Sequence, residues 1–152
     1  MIDLRAVAAC FSGMLCLLVS VNGLAEDSAN RPNSNAPKNA SVFVIVPTEG
    51  QVLQADAPIT VRFGLRGMGV APAGIIVEQT GHHHLLIDQS VLPDLTQPLP
   101  ASEHIVHFGR GQTETDIRLK PGPHTLQLIL GNHYHIPHDP PVISQKVHIV
   151  VE

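Results

Sequence analysis

From Val42 onward the apolar side chains of this chain come in short runs, each stopped by proline or glycine. Val42-Phe43-Val44-Ile45-Val46 is a β-branched run closed by Pro47 and Gly50. Ile59, Val61, Phe63 and Leu65 alternate with Thr60, Arg62 and Gly64, which is the period of a half-buried strand because successive side chains leave opposite faces of the backbone. His124, Leu126, Leu128 and Leu130 share one face of a further run, and Ile143, Gln145, Val147, Ile149 and Val151 share a face of the last. Between these, strands are expected over Ile75–Val77, or His83–Asp88, or both. Ile105–Phe108 and Thr115–Leu119 read as a hairpin around Gly109-Arg110-Gly111. No stretch after residue 41 carries a helical period. About seven short strands with frequent turns predict an all-β fold, an immunoglobulin-like β-sandwich. Pro93, Pro98 and Pro100 leave the pairing between Asp88 and Glu103 open.

The N-terminal part reads differently. Arg5 precedes an apolar run from Ala6 to Val21, and Gly23-Leu24-Ala25 places small residues where a signal peptidase cuts. Residues 1–25 are therefore expected to be a signal peptide cleaved after Ala25, and the mature protein to be periplasmic or secreted, with no stable membrane insertion after processing. Residues 26–40, rich in Asn, Pro, Ser and Ala, have little to bury and read as a disordered leader. Residues 41–152 form the β-sandwich domain. Both cysteines, Cys10 and Cys16, fall in the signal, so the processed chain has no disulfide and no thiolate metal site. A formal charge of −4 without a basic patch excludes nucleic acid as a natural partner, and nothing in the sequence identifies a protein partner.

Histidine carries the functional signal. All ten histidines follow Gly81. Neutral imidazole is a common ligand for transition metals. On a strand, His82 and His84 point the same way with Cα atoms about 6.8 Å apart, while His83 joins Leu85 and Ile87 on the other face. His133-x-His135-x-x-His138-Asp139 lies in a proline-rich loop, where irregular backbone can wrap an ion and Asp139 can serve as an oxygen ligand or hold a histidine tautomer. His107 precedes a glycine turn. The expected metal ligands are His82, His84, His107, His135 and His138. With Met68 as the one methionine after the signal, the donor set is nitrogen-rich, and it suits Cu(II) or Zn(II) rather than a sulfur-bound Cu(I). His124 reads as a buried, hydrogen-bonded core histidine, and His104 and His148 as solvated.

Four segments occur together: Gly67-Met68-Gly69-Val70-Ala71-Pro72-Ala73-Gly74, Thr80-Gly81-His82-His83-His84-Leu85-Leu86-Ile87-Asp88, His107-Phe108-Gly109-Arg110-Gly111-Gln112-Thr113-Glu114 and His135-Ile136-Pro137-His138-Asp139-Pro140-Pro141-Val142. In this order they resemble domain-of-unknown-function family 4399, a group of exported bacterial proteins. The resemblance implies export and a compact β domain, and brings no activity with it. His82, His83, His84, His107, His124, His135 and His138 match the family pattern; His104, His133 and His148 do not. Asn132 stands where the family usually has an acidic residue.

No Gly-x-Ser-x-Gly elbow, His-Glu-x-x-His zinc motif or Walker loop is present. The leading reading is a histidine-rich binding module that holds a divalent metal for buffering or delivery. One alternative is a structural or interaction module without metal, in which histidines organise loops or respond to pH. Another is a metalloenzyme similar to the cupins, built on His82-x-His84-x-x-x-Asp88 and on Pro121-Gly122-Pro123-His124.

Overall fold

The computed structural model describes residues 34–152. The expected signal peptide, its cleavage after Ala25, and residues 26–33 of the expected leader lie outside the described residues. Within them are nine strands: β1 Ser41–Val46, β2 Gln51–Leu53, β3 Ile59–Arg66, β4 Gly69–Val70, β5 Thr80–Ile87, β6 Ile105–His107, β7 Glu114–Ile117, β8 Gly122–Gly131 and β9 Val147–Val151. They form two sheets. The smaller has the order β1-β3-β7; the larger has the order β2-β9-β8-β5-β4, with β6 also paired to β5. The fold is an all-β, immunoglobulin-like sandwich. Among the described residues no helix is long and apolar enough to cross a membrane.

The core lies between the sheets, and the alternation of the strands builds it. Val42 of β1 and Ile59, Val61 and Phe63 of β3 meet Leu85 and Ile87 of β5, Leu126, Leu128 and Leu130 of β8, and Ile149 and Val151 of β9. All are buried, so each removes most of a large apolar side chain from water, worth about 1.5–3 kcal/mol apiece before the entropy of ordering. His83 belongs to this layer. Its ring packs 5.1 Å from that of Phe63, which in turn lies 4.8 Å from Phe108.

The opposite face of the larger sheet is also covered. Leu86 and Ile129 pack there with Leu99 and Ile105, flanked by Leu95 and Ile143. The cover is the proline-rich stretch after β5 and the loop between β8 and β9. Sheets with both faces covered read as continuous apolar runs rather than alternating ones. Accordingly seven consecutive residues of β5, from Gly81 to Ile87, are buried.

Several expectations about individual segments change. Ile75–Val77 is not a strand: these residues are exposed, and the strand runs from Thr80 to Ile87. Ile105–Phe108 and Thr115–Leu119 do not form a hairpin. β6 pairs with β5 in one sheet while β7 pairs with β3 in the other. The physical reason is Phe108, whose side chain is drawn into the core and takes the chain across from one sheet to the other. The last strand starts at Val147, not Ile143, which bridges Ile129 and packs in the outer layer. Residues 34–40, within the expected leader, lie against the domain: Asn35 bridges Asp139, and Ala36 N–H donates to the Asp139 carbonyl at 3.0 Å.

Burial holds the pKa of His83 down from 6.5 to about 4, the nearby Gln112 backbone offsetting only part of that. The unfolded chain protonates this ring near pH 6.5 and the folded chain does not, so stability is full above that pH and is lost as the pH falls towards 4. In metal-free protein, His83→Leu should therefore flatten the pH dependence of urea unfolding between pH 6.5 and 4 by up to about 1.4 kcal/mol per pH unit. An unaltered slope would remove His83 from the acid sensitivity.

Candidate metal centre

The alternation that sends His83 inward sends His82 and His84 to the outer face of the same strand. Both are fully buried there. β6 brings His107 directly opposite His84 in antiparallel register, so the two rings share that face. The fourth ring comes from the loop after β8. His135 has a φ of +67°, a left-handed conformation uncommon for a residue with a side chain. Its N–H donates to the Asn132 carbonyl and its own carbonyl accepts from Leu99 N–H, both at 2.9 Å. The buried Asn132 side chain fixes the same turn: Oδ1 accepts from Tyr134 N–H at 2.8 Å and from Ile136 N–H at 3.2 Å.

The result is one cluster of four imidazoles. Ring centroids of His82, His84, His107 and His135 lie between 4.5 and 6.0 Å apart in all pairings. His82, His107 and His135 each offer a ring nitrogen within 4.8 Å of the others. Three nitrogens bound tetrahedrally to one ion at about 2.05 Å would lie about 3.3 Å apart, so the rings and the segments that carry them have to close on the ion. No ring nitrogen of His82 or His84 makes a hydrogen bond of acceptable geometry among the described residues.

The electrostatics keep His82 and His84 neutral. Burial, reinforced by the neighbouring imidazoles of His135 and His107, brings His82 down to about 3. Burial likewise takes His84 to about 2, with His82, His107 and His135 adding to it. His107, on the open side, is lowered in the same direction, first by burial and then by His135. Neutral imidazole is the form that binds metal.

His138 stands apart from the four. It is buried, with Nδ1 bonded to Ser34 at 2.6 Å from Oγ, and its Nε2 lies without a partner near Gly81. Asp139 is exposed, and its backbone is engaged with Ser34 and Ala36. His124 lies on the other face of the larger sheet from His82 and His84, so the cupin-like trio does not assemble. Nδ1–H of His124 donates to Asp88 Oδ2 at 2.7 Å and Nε2–H to the Lys120 carbonyl at 2.8 Å. Burial lowers its pKa, but these acceptors outweigh burial and raise it overall. His148 is exposed and paired with Glu49, and His104 is exposed with Nδ1 at 3.1 Å from the Ile87 carbonyl.

Three glycines complete the site. A Cβ on Gly131 would lie 2.7 Å from His84 Cε1, one on Gly109 would lie 2.3 Å from His107 Cε1, and one on Gly81 would lie 2.8 Å from His138 Nε2. Each leaves the space that a histidine ring fills. Read as a sequence, Gly109 is a turn residue and Gly81 and Gly131 are strand ends. Only the pairing of β5 with β8 and β6 reveals what they accommodate.

Residues 61–152 match the family described as Domain of unknown function (DUF4399). The chain belongs to that family. The matched region of this DUF4399 protein contains every histidine of the cluster. Among curated proteins none matches. Among solved structures, the fibronectin(III)-like modules of Clostridium thermocellum CbhA are similar at 11% identity. The match covers 72% of this chain and 92% of that one, with a TM-score of 0.38.

Two of the ring-accommodating glycines, Gly131 and Gly109, should respond differently to alanine. Gly131→Ala forces a buried ring to move within a packed layer and should cost about 1–3 kcal/mol in urea denaturation. Gly109→Ala meets a ring at the open side, which can swing outward, and should cost less. Equal costs would contradict the placement of His84 as buried and His107 as the open member.

Proposed function

We propose that His82, His84, His107 and His135 bind one divalent transition-metal ion, Cu(II) or Zn(II), in an exported periplasmic or secreted protein that buffers the ion or hands it on. The observation that carries this reading is the convergence of His82, His107 and His135, whose ring nitrogens lie within 4.8 Å of one another, beside buried and unpaired nitrogens of His82 and His84. A buried polar group without a partner costs about 1–3 kcal/mol, so an apolar residue would serve a purely structural role better. An ion between the rings takes one nitrogen from each of them at once.

The donor set selects the ion. Nitrogen ligands without thiolate or thioether suit Cu(II) and Zn(II), and Cu(II) binds tighter on the general affinity order. His82, His107 and His135 form the triad and His84 is the fourth donor. His138 lies behind them against Ser34, and in this reading it supports the Gly81 end of the site rather than binding the same ion. The pH-sensing alternative is weakened by the same burial: rings that protonate only at about 3 and about 2 stay neutral over the range in which histidine switches operate. Holding and releasing an ion, rather than catalysis, fits a nitrogen cage with no nucleophile or general base assigned beside it.

Purified mature protein, stripped and then dialysed against equimolar Cu(II) or Zn(II), should retain about one ion per chain by elemental analysis. His82→Ala and His135→Ala should each lower the affinity at least 10-fold, about 1.4 kcal/mol or more. His148→Ala, on an exposed ring far from the cluster in the sheet, should leave it unchanged. Metal content near zero in all samples would refute the proposal.

A further inference from the structure

The segment between β4 and β5, residues 71–79, ties together the turn that follows His107 and the turn that carries His135. Ala73 N–H donates to the Gly109 carbonyl at 2.9 Å, two residues beyond His107. Gly74 N–H donates to the His133 carbonyl at 3.0 Å, two residues before His135. Its ends are fixed to the strand bearing His82: Ala71 N–H donates to the Gly81 carbonyl at 2.9 Å, and Thr80 Oγ1–H donates to the Val77 carbonyl at 2.8 Å. The segment is therefore a strap hydrogen-bonded beside three of the four ligands. It also presents Ile75, Ile76 and Val77 to solvent, exposed by 52%, 74% and 53%. A small cavity beneath the strap is lined by these residues and by His82, Asn132 and His133.

We infer that this strap is a reporter of metal occupancy: binding of an ion by the histidine cluster repositions Ile75-Ile76-Val77. The inference rests on the proposed metal site. Ligand nitrogens now up to 4.8 Å apart must approach to about 3.3 Å around a tetrahedral ion. His82 lies in the middle of a paired sheet and His107 ends β6, paired to that sheet, so the His135 turn and the turn that follows His107 take up the approach. The strap is bonded to both turns, and its only other ties are at its ends. Ile75 to Val77 form no strand and pack little, so they yield before the sheet does.

The test uses zinc alone, which does not quench fluorescence, and the full mature chain. The sequence has no tryptophan, so Ile76→Trp supplies a single reporter at a position already exposed. Its emission maximum should shift on addition of zinc and saturate at the same stoichiometry as zinc bound by dialysis. Val91→Trp, a reporter equally exposed in the connection after β5, should show no shift. In unaltered protein, zinc should change the hydrogen-exchange protection of the Ala73 and Gly74 amides, a readout that depends on no substitution. Zinc bound stoichiometrically, with neither the emission nor these amides responding, would overturn the coupling while leaving the metal site intact. No zinc bound at all would overturn both.

Discussion

Four ring nitrogens, on His82 and His84, are buried in the outer layer of the larger sheet without hydrogen-bond partners. The rest of the arrangement follows from that constraint. Neutral rings are the least costly state there, and burial enforces it. Space for the rings has to be left by their neighbours, and Gly131 and Gly109 leave it. A fourth ring has to be brought in from outside the sheet, and His135 is held in a left-handed backbone conformation by Asn132 and Leu99 to do so.

β5 divides two kinds of histidine chemistry between its faces. His83 enters the sandwich core against Phe63 and behaves as a neutral packing residue. His82 and His84 face the outer layer, where β6 and the loop after β8 add His107 and His135. One strand thus joins the cohesion of the domain to the cluster, and the rigidity of its pairing with β8 sets the spacing of the His82 and His84 rings. His107 is held opposite His84 by β6, and His135 rides on a turn, which leaves the cluster one fixed side and one adjustable side.

Much of this was legible in the sequence, for identifiable reasons. Period-two alternation is a local property, so the core faces of β3 and β8 and the opposed directions of His83 and of His82 with His84 could be read directly. Sheet membership is not local. Nothing in Ile105–Phe108 says that it pairs with β5 rather than with the strand that follows, because the deciding contact is Phe108 against Phe63. The same limit hid the strap: Ile75-Ile76-Val77 has strong strand propensity, but no partner lies beside it and it stays in solvent. The three glycines were invisible as site residues because their neighbours come from distant segments. Asn132 drew notice only as a departure from an acidic residue. Its observed bonds use Oδ1 as an acceptor, a role that a carboxylate oxygen also fills.

Whether the cluster is a metal site is decided most directly by the coordination shell of the loaded protein. X-ray absorption spectroscopy of the Cu(II)-loaded mature chain should give a first shell of nitrogen at about 2.0 Å, with the outer-ring scattering of three or four imidazoles. A shell dominated by oxygen, with one imidazole or none, would place the ion elsewhere on the surface and contradict a four-histidine centre.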